Sequence, residues 1–326
     1  MRYIRIHSQF STAAESVVAG REPAGGGDDC LRPFTVHGPD GVRLSGAHLG
    51  PASALATVVY VHGTLTDSSY WNPLTAYLHQ RLVGGIAQIV YDQRGHRQSH
   101  SDPNRPGRRA TMDALVGDLD AVLTAASGAV VLVAHSVASL LVQAWIATFP
   151  DRARRLAGVV LLNGCAEFPP VPALVDGRWT TRRVRRRGID LIEQLHAYLY
   201  LDPRAYLRHS RTLRPCPRVR GVGLTPQYLD SVVDDLAVYA AITLTPKVAS
   251  VMRSIPSWVV AGDLDPVVTP SHAQVLAERI WADFENVPGA GHSLPYVEPV
   301  KAAEPILAAL EVAYRTHQQD TAHADR

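Results

Sequence analysis

A serine stands where an apolar run breaks into a turn and helix-compatible residues resume at once. Residues 130–140 read Val-Val-Leu-Val-Ala-His-Ser-Val-Ala-Ser-Leu. The pattern predicts a strand, a tight turn and a helix, with Ser136 at the tip. A hydroxyl held there projects from the C-terminal end of a sheet, where a base can reach it. A serine alone is a weak nucleophile. It needs a base to take its proton, a carboxylate to orient that base, and hydrogen-bond donors for the charge that develops on the attacked oxygen.

The candidate base is His292, in Pro288-Gly289-Ala290-Gly291-His292-Ser293-Leu294-Pro295. A histidine in a glycine-rich loop just ahead of the last helix can swing toward a neighbouring strand end. Its place after the serine and after a candidate acid separates it from an ordinary surface histidine. The acid candidates follow the apolar run that ends near Gly262, in Gly262-Asp263-Leu264-Asp265-Pro266. One of Asp263 and Asp265 is a turn aspartate. Glu167, after the preceding strand, is a distant third.

These residues need a scaffold, and the chain supplies a regular one. Phe34–His37 and Val42–Leu49 flank Gly38-Pro39-Asp40-Gly41, a hairpin signal. Thr57–Val61, Ile86–Tyr91, Val130–Val133, Val159–Leu162 and Trp258–Ala261 are short apolar runs that suit buried strands. Helical patterns cover Trp71–Leu82, Thr111–Ala126, Val137–Thr148 and Pro299–Tyr314. In Thr111–Ala126, Leu115, Leu119, Val122 and Leu123 share one face, with Asp113, Asp118 and Asp120 around the remainder. The polar tail His317–Arg326 is expected to fray.

Strands alternating with helices imply an α/β protein with a mostly parallel central sheet covered on both faces. The stretch Cys165–Met252 breaks the alternation. It holds helical pieces and several prolines, and reads as an inserted helical cap. The expected organisation is a flexible N-terminal arm (1–30), a core made of 31–164 and 253–318, a cap (165–252) and a tail (319–326).

The order Ser…Asp…His, with the motifs around it, resembles the α/β-hydrolase family. The family's G-x-S-x-G nucleophile elbow is matched by Ala134-His135-Ser136-Val137-Ala138, with alanines for both glycines. His62-Gly63-Thr64-Leu65 looks like its HG oxyanion loop. Tyr91-Asp92-Gln93-Arg94-Gly95-His96-Arg97-Gln98-Ser99 is similar to its Y-D-x-R-G-x-G-x-S loop, with Arg97 where glycine is usual. The motifs span Tyr60 to Pro295, most of the chain. The resemblance implies the α/β-hydrolase fold with an inserted helical cap. It favours Asp265, three residues after the glycine, as the acid. It also implies that the backbone N–H groups of Thr64 and Val137 form the oxyanion hole. His62, Asp92, Arg94 and His96 are expected to shape loops rather than perform chemistry.

Composition narrows the alternatives. The chain has 326 residues, 46% hydrophobic and 19% charged, enough for a large core. A formal net charge of +2 argues against polyanion binding by bulk charge. Basic residues are almost all arginine, Lys247 and Lys301 being the only lysines. Asp176–Arg187 carries a local run of arginines (Arg178, Arg182, Arg183, Arg185, Arg186 and Arg187), read as a solvated cap face ahead of an anion site. No nucleic-acid-binding fold accompanies it. Tyr198, Tyr200, Tyr206, Tyr228 and Tyr239 fall in the same stretch, where some are expected to line an apolar pocket above Ser136 and others to pack the cap. The cysteines Cys30, Cys165 and Cys216 are far apart and odd in number, which fits neither a disulfide framework nor a zinc site. No apolar run is long enough to span a bilayer, and no signal-peptide core follows the N-terminus. A cytoplasmic location follows as the expectation.

The resemblance implies a cofactor-free, metal-free serine hydrolase that cleaves a small-molecule ester, lactone or thioester through an acyl-enzyme on Ser136. The same three residues also serve C–C bond hydrolysis and acyl transfer in this family. A catalytically silent homologue that only binds a ligand is the alternative outside enzymes.

Overall fold

The turn Gly38–Gly41 joins the first two strands, β1 (Arg32–His37) and β2 (Arg43–Leu49), into the expected antiparallel hairpin. The structure is a computed structural model that describes residues 31–99, 110–168 and 238–324. The arm 1–30, Cys30, Cys216, the arginine run, Tyr198, Tyr200, Tyr206 and Tyr228 lie outside the described residues.

The apolar runs become β3 (Ala56–Val61), β4 (Ala87–Tyr91), β5 (Ala129–His135), β6 (Gly158–Leu162) and β7 (Ser257–Gly262). Every residue of β3, β4 and β6 is buried, which explains their unbroken apolar character. An eighth strand, β8 (Asp283–Val287), closes the edge. The sheet order is β1-β2-β4-β3-β5-β6-β7-β8. β2 pairs antiparallel with β1 and β4, and the remaining neighbours are parallel.

The helices are α1 (Asn72–Arg81), α2 (Met112–Thr124), α3 (Ala138–Thr148), α4 (Pro150–Ala153), α5 (Pro246–Met252), α6 (Pro270–Ile280), α7 (Leu294–Val297) and α8 (Pro299–Ala324). Thr111 caps α2 by accepting from the Ala114 N–H, and Thr245 caps α5 by accepting from the Val248 N–H. α1 packs on α8, while α2, α3, α5 and α6 pack in succession. The last helix does not fray after Tyr314 but continues to Ala324. Gln318 and Gln319, good helix formers, carry the helix past His317.

One feature of the topology decides where a site can form. The chain leaves β3 for β4 on one side and returns to β5 on the other. At such a switch point the loops after the two strands diverge and open a crevice at their C-terminal ends. The His62–Gly63 loop leaves β3 there, and Ser136 follows β5.

Candidate active site

Ser136 has φ +58°, in the left-handed region. That conformation costs a residue with a Cβ about 1–2 kcal/mol, so neighbours must hold it. The Ser136 N–H donates to the Leu162 carbonyl at 3.0 Å. The Ser136 carbonyl accepts from the Ser139 N–H at 3.0 Å and from Ser139 Oγ at 2.7 Å. Ala134 and Ala138 are both fully buried, so their methyl groups are packed into the elbow. The tight approach falls on other strand ends. A Cβ on Gly63 would lie 3.1 Å from Ser136 Cβ and 2.9 Å from His135 Nδ1. A Cβ on Gly164 would lie 3.2 Å from Ser139 Cβ. The two glycines that let the elbow form therefore sit beside it, after β3 and β6.

His292 reaches the serine from the loop after β8. Its Nε2 lies 2.9 Å from Ser136 Oγ, and its Nδ1 lies 2.7 Å from Asp265 Oδ2. Asp265 Oδ1 accepts from the Val267 N–H at 2.8 Å and the Val268 N–H at 3.0 Å. Serine, histidine and aspartate are all buried. Asp263 instead accepts from the Gly289 N–H at 2.7 Å and ties two loops together. Glu167 lies in an isolated bridge with Thr243.

Two further residues touch this row. Asn163 follows β6 with φ +50° and is fully buried. Its Nδ2 donates to Asp265 Oδ2 at 2.6 Å. His135 Nε2 lies 2.8 Å from the His292 carbonyl, which makes it the donor. The His135 ring packs 4.9 Å from Tyr70 and 5.0 Å from His292. Burial, reinforced by His292, holds the His135 pKa well below its ordinary value, so the ring is neutral. Neither is a site residue expected from the sequence motifs. Asn163 had a usable signal, a polar amide directly after a buried apolar strand.

The loop after β3 carries Thr64, and Val137 is the N-cap residue of α3. As the residue before the helix's first turn, Val137 has no carbonyl partner for its N–H within that helix. Gly63 presses this loop against the elbow, so the Thr64 and Val137 amides come from the two segments that meet at Ser136.

The remaining motif residues brace loops. Asp92 accepts from the Ser68 N–H at 2.8 Å and the Gln98 N–H at 3.2 Å. Arg94 forks onto Asp118 at 2.6 and 2.7 Å and reaches Asp40 at 2.9 Å. His96 packs edge-on to His62 at 4.9 Å, and burial with His62 beside it pushes its pKa down to about 3. Arg97, where a glycine is usual, has φ +36°. Cys165 is buried against Ser139, and burial pushes its thiol up to about 12, which keeps it protonated. Among the described residues no group of three or more His, Cys, Asp or Glu could hold a metal ion. No described helix is long and apolar enough to cross a membrane.

A strand–turn–helix serine under a histidine–aspartate pair, at the switch point of a mostly parallel sheet, defines a class of hydrolase-like α/β proteins. The chain belongs to the alpha/beta hydrolase family, whose family model matches residues 58–304. It is similar to 3-oxoadipate enol-lactonase 1 of Acinetobacter baylyi, at 24% identity over 264 residues, covering 80% of this chain and 90% of that protein. Among solved structures it resembles a thermophilic esterase from Thermogutta terrifontis, with a TM-score of 0.67 and 22% identity over 86% of this chain and 99% of the other. The enol-lactonase from Burkholderia xenovorans gives a TM-score of 0.63 at 20% identity, over 86% of this chain and all (100%) of the other.

Proposed function

We propose that this protein is an esterase-like hydrolase that cleaves a small-molecule ester or lactone through an acyl-enzyme on Ser136. The observation that carries the reading is the continuous hydrogen-bonded row from Ser136 Oγ to His292 at 2.9 Å and from His292 to Asp265 at 2.7 Å. It forms at a serine whose backbone is held in the left-handed region.

His292 Nε2 takes the hydroxyl proton as Ser136 Oγ attacks the acyl carbon. Asp265 holds the Nδ1–H and stabilises the imidazolium that forms. The carbonyl oxygen becomes an oxyanion, which the N–H groups of Thr64 and Val137 receive. Such donors act on charge present only in the transition state, typically for about 3–4 kcal/mol each. His292 then protonates the leaving alcohol, or the enol or alkoxide oxygen of an opened lactone. Water, deprotonated by the same histidine, releases the acid. The inserted segment, as a cap over the crevice, would select the acyl group. The lactonase and esterase relatives support an ester or lactone ahead of C–C cleavage or acyl transfer.

The test is a panel of esters and lactones of graded acyl length, run beside Ser136→Ala. Turnover that depends on Ser136 is expected for at least one ester or lactone. Equal turnover by Ser136→Ala, or none across the panel, would overturn the reading.

A further inference from the structure

We propose that Gln93 and Tyr239 are positioning residues that aim the Thr64 amide, and so couple the returning end of the inserted segment to the oxyanion loop. The inference rests on the function proposed above for Ser136 and Thr64.

The coupling begins with a peptide plane. The Thr64 N–H and the Gly63 carbonyl belong to one planar unit, so fixing the carbonyl fixes the direction of the N–H. Two groups grip that carbonyl, Thr66 Oγ1 at 2.9 Å and His62 Nδ1 at 2.9 Å. The His62 tautomer follows from its other nitrogen. Nε2 accepts from the Gln93 N–H at 3.0 Å, so Nδ1 carries the proton and donates. Burial favours the neutral ring that this arrangement requires.

Gln93 holds His62 a second time, its side-chain Nε2 donating to the His62 carbonyl at 2.6 Å. Its other amide atom, Oε1, accepts from Tyr239 Oη at 2.9 Å. That contact sets which way the amide is turned: with Oε1 facing the tyrosine hydroxyl, the NH₂ faces His62. Gln93 and Tyr239 are 5% and 2% exposed, too buried for water to replace either partner.

Tyr239 is placed by the base of the insertion. Just beyond it the Leu244 N–H donates to the Ala166 carbonyl at 2.7 Å, and Thr243 pairs with Glu167. The Arg279 side chain also donates to the Leu244 carbonyl. The chain thus leaves the core after β6 and returns beside its own exit. Its first buried tyrosine after the return reaches the loop behind the oxyanion donor.

The experiment compares Tyr239→Phe, Gln93→Leu, Gln93→Glu and the double variant Tyr239→Phe/Gln93→Leu on p-nitrophenyl acetate, with active sites counted by a fluorophosphonate. Because an oxyanion donor acts only in the transition state, a mis-aimed amide lowers kcat and leaves KM unchanged. Tyr239→Phe is expected to lower kcat roughly threefold and Gln93→Leu roughly thirtyfold, short of the ~100-fold or more for outright loss of a donor. Gln93→Glu keeps an oxygen for Tyr239 but offers no N–H to His62, and falls with Gln93→Leu. It serves where Gln93→Leu does not fold. Tyr239 acts through Gln93, so the double variant matches Gln93→Leu alone. Unchanged kcat per active site in Tyr239→Phe and Gln93→Glu, or additive losses in the double variant, would overturn the inference. Wild type with no Ser136-dependent turnover would overturn the proposed function and this inference with it. Wild-type turnover with unaffected variants would overturn this inference alone.

Discussion

Asn163 shares an oxygen with His292: Asp265 Oδ2 accepts from Asn163 Nδ2 at 2.6 Å and faces His292 Nδ1 at 2.7 Å. With the Val267 and Val268 amides on Oδ1, the carboxylate is held from both sides and cannot rotate away from the histidine. A hydrogen bond to a charged group contributes about 1.5–3 kcal/mol. Asn163→Gly removes the amide while tolerating the left-handed backbone. It is expected to lower kcat roughly tenfold to a hundredfold in this reading, with KM little changed. Steady-state kinetics beside a thermal melt checks it; wild-type kcat would show that the backbone amides hold Asp265 unaided.

The strain at Ser136 has its own test. An Ala-to-Gly change ordinarily destabilises a structured position by about 0.5–1 kcal/mol. At φ +58° the sign reverses, because glycine enters that region freely and alanine does not. Ser136→Gly is expected to be more stable than Ser136→Ala by about 1 kcal/mol in denaturant unfolding. The opposite order would mean that the elbow is not strained.

The substituted elbow glycines give a paired prediction. Ala134 and Ala138 are fully buried, and their methyls fill space that glycine would leave empty. Ala138→Gly, at the first turn of α3, is expected to cost about 1 kcal/mol of stability and to leave kcat within about threefold. Gly63→Ala places a methyl 2.9 Å from His135 Nδ1 and 3.1 Å from Ser136 Cβ. The oxyanion loop must then move, and kcat is expected to fall by about a hundredfold or more. Urea titration and kinetics on the two variants separate packing from geometry.

How much of this was legible in the sequence depends on what burial does to each element. β3, β4, β5, β6 and β7 announce themselves, because a strand covered on both faces has to be apolar. β8 does not: on this edge strand Asp283, Glu285 and Asn286 are exposed or only half buried and Val287 alone is buried, so no apolar run marks it. Ser136, His292 and Asp265 stand at strand ends in loops of recognisable composition, and the chain brings the three together. The residues that support them carry no such local mark. Asn163, His135 and the Tyr239–Gln93 contact join segments far apart in the chain, and nothing local to any one of them names its partner. The missing elbow glycines looked like a defect in one motif. Their steric role falls on Gly63 and Gly164, in other segments, which only the folded neighbourhood reveals.

Three buried histidines set the acid limit of stability. His62, His96 and His135 all have folded pKa values pushed below the ordinary histidine value by burial, that of His96 to about 3. The unfolded chain binds protons at these rings below pH ~6.5, while the folded protein takes them up only at lower pH. Stability is therefore fully present above that pH and falls as pH drops toward the folded values. Each histidine contributes a slope of up to about 1.4 kcal/mol per pH unit. Denaturant unfolding at pH 7.5 and pH 5 is expected to show the loss, and His96→Asn to flatten it by one histidine's share. A flat profile between those values would mean that the rings protonate in the folded state.

The central claim is that Ser136 is a nucleophile activated by His292. The most direct measurement is intact-protein and peptide mass spectrometry after exposure to a fluorophosphonate. The account predicts a single adduct on Ser136 in wild type, and none at that site in Ser136→Ala. Labelling is also predicted to be slowed at least about a hundredfold in His292→Ala, the general base being worth roughly that much. An unlabelled wild type, or equal labelling of Ser136→Ala, would contradict it.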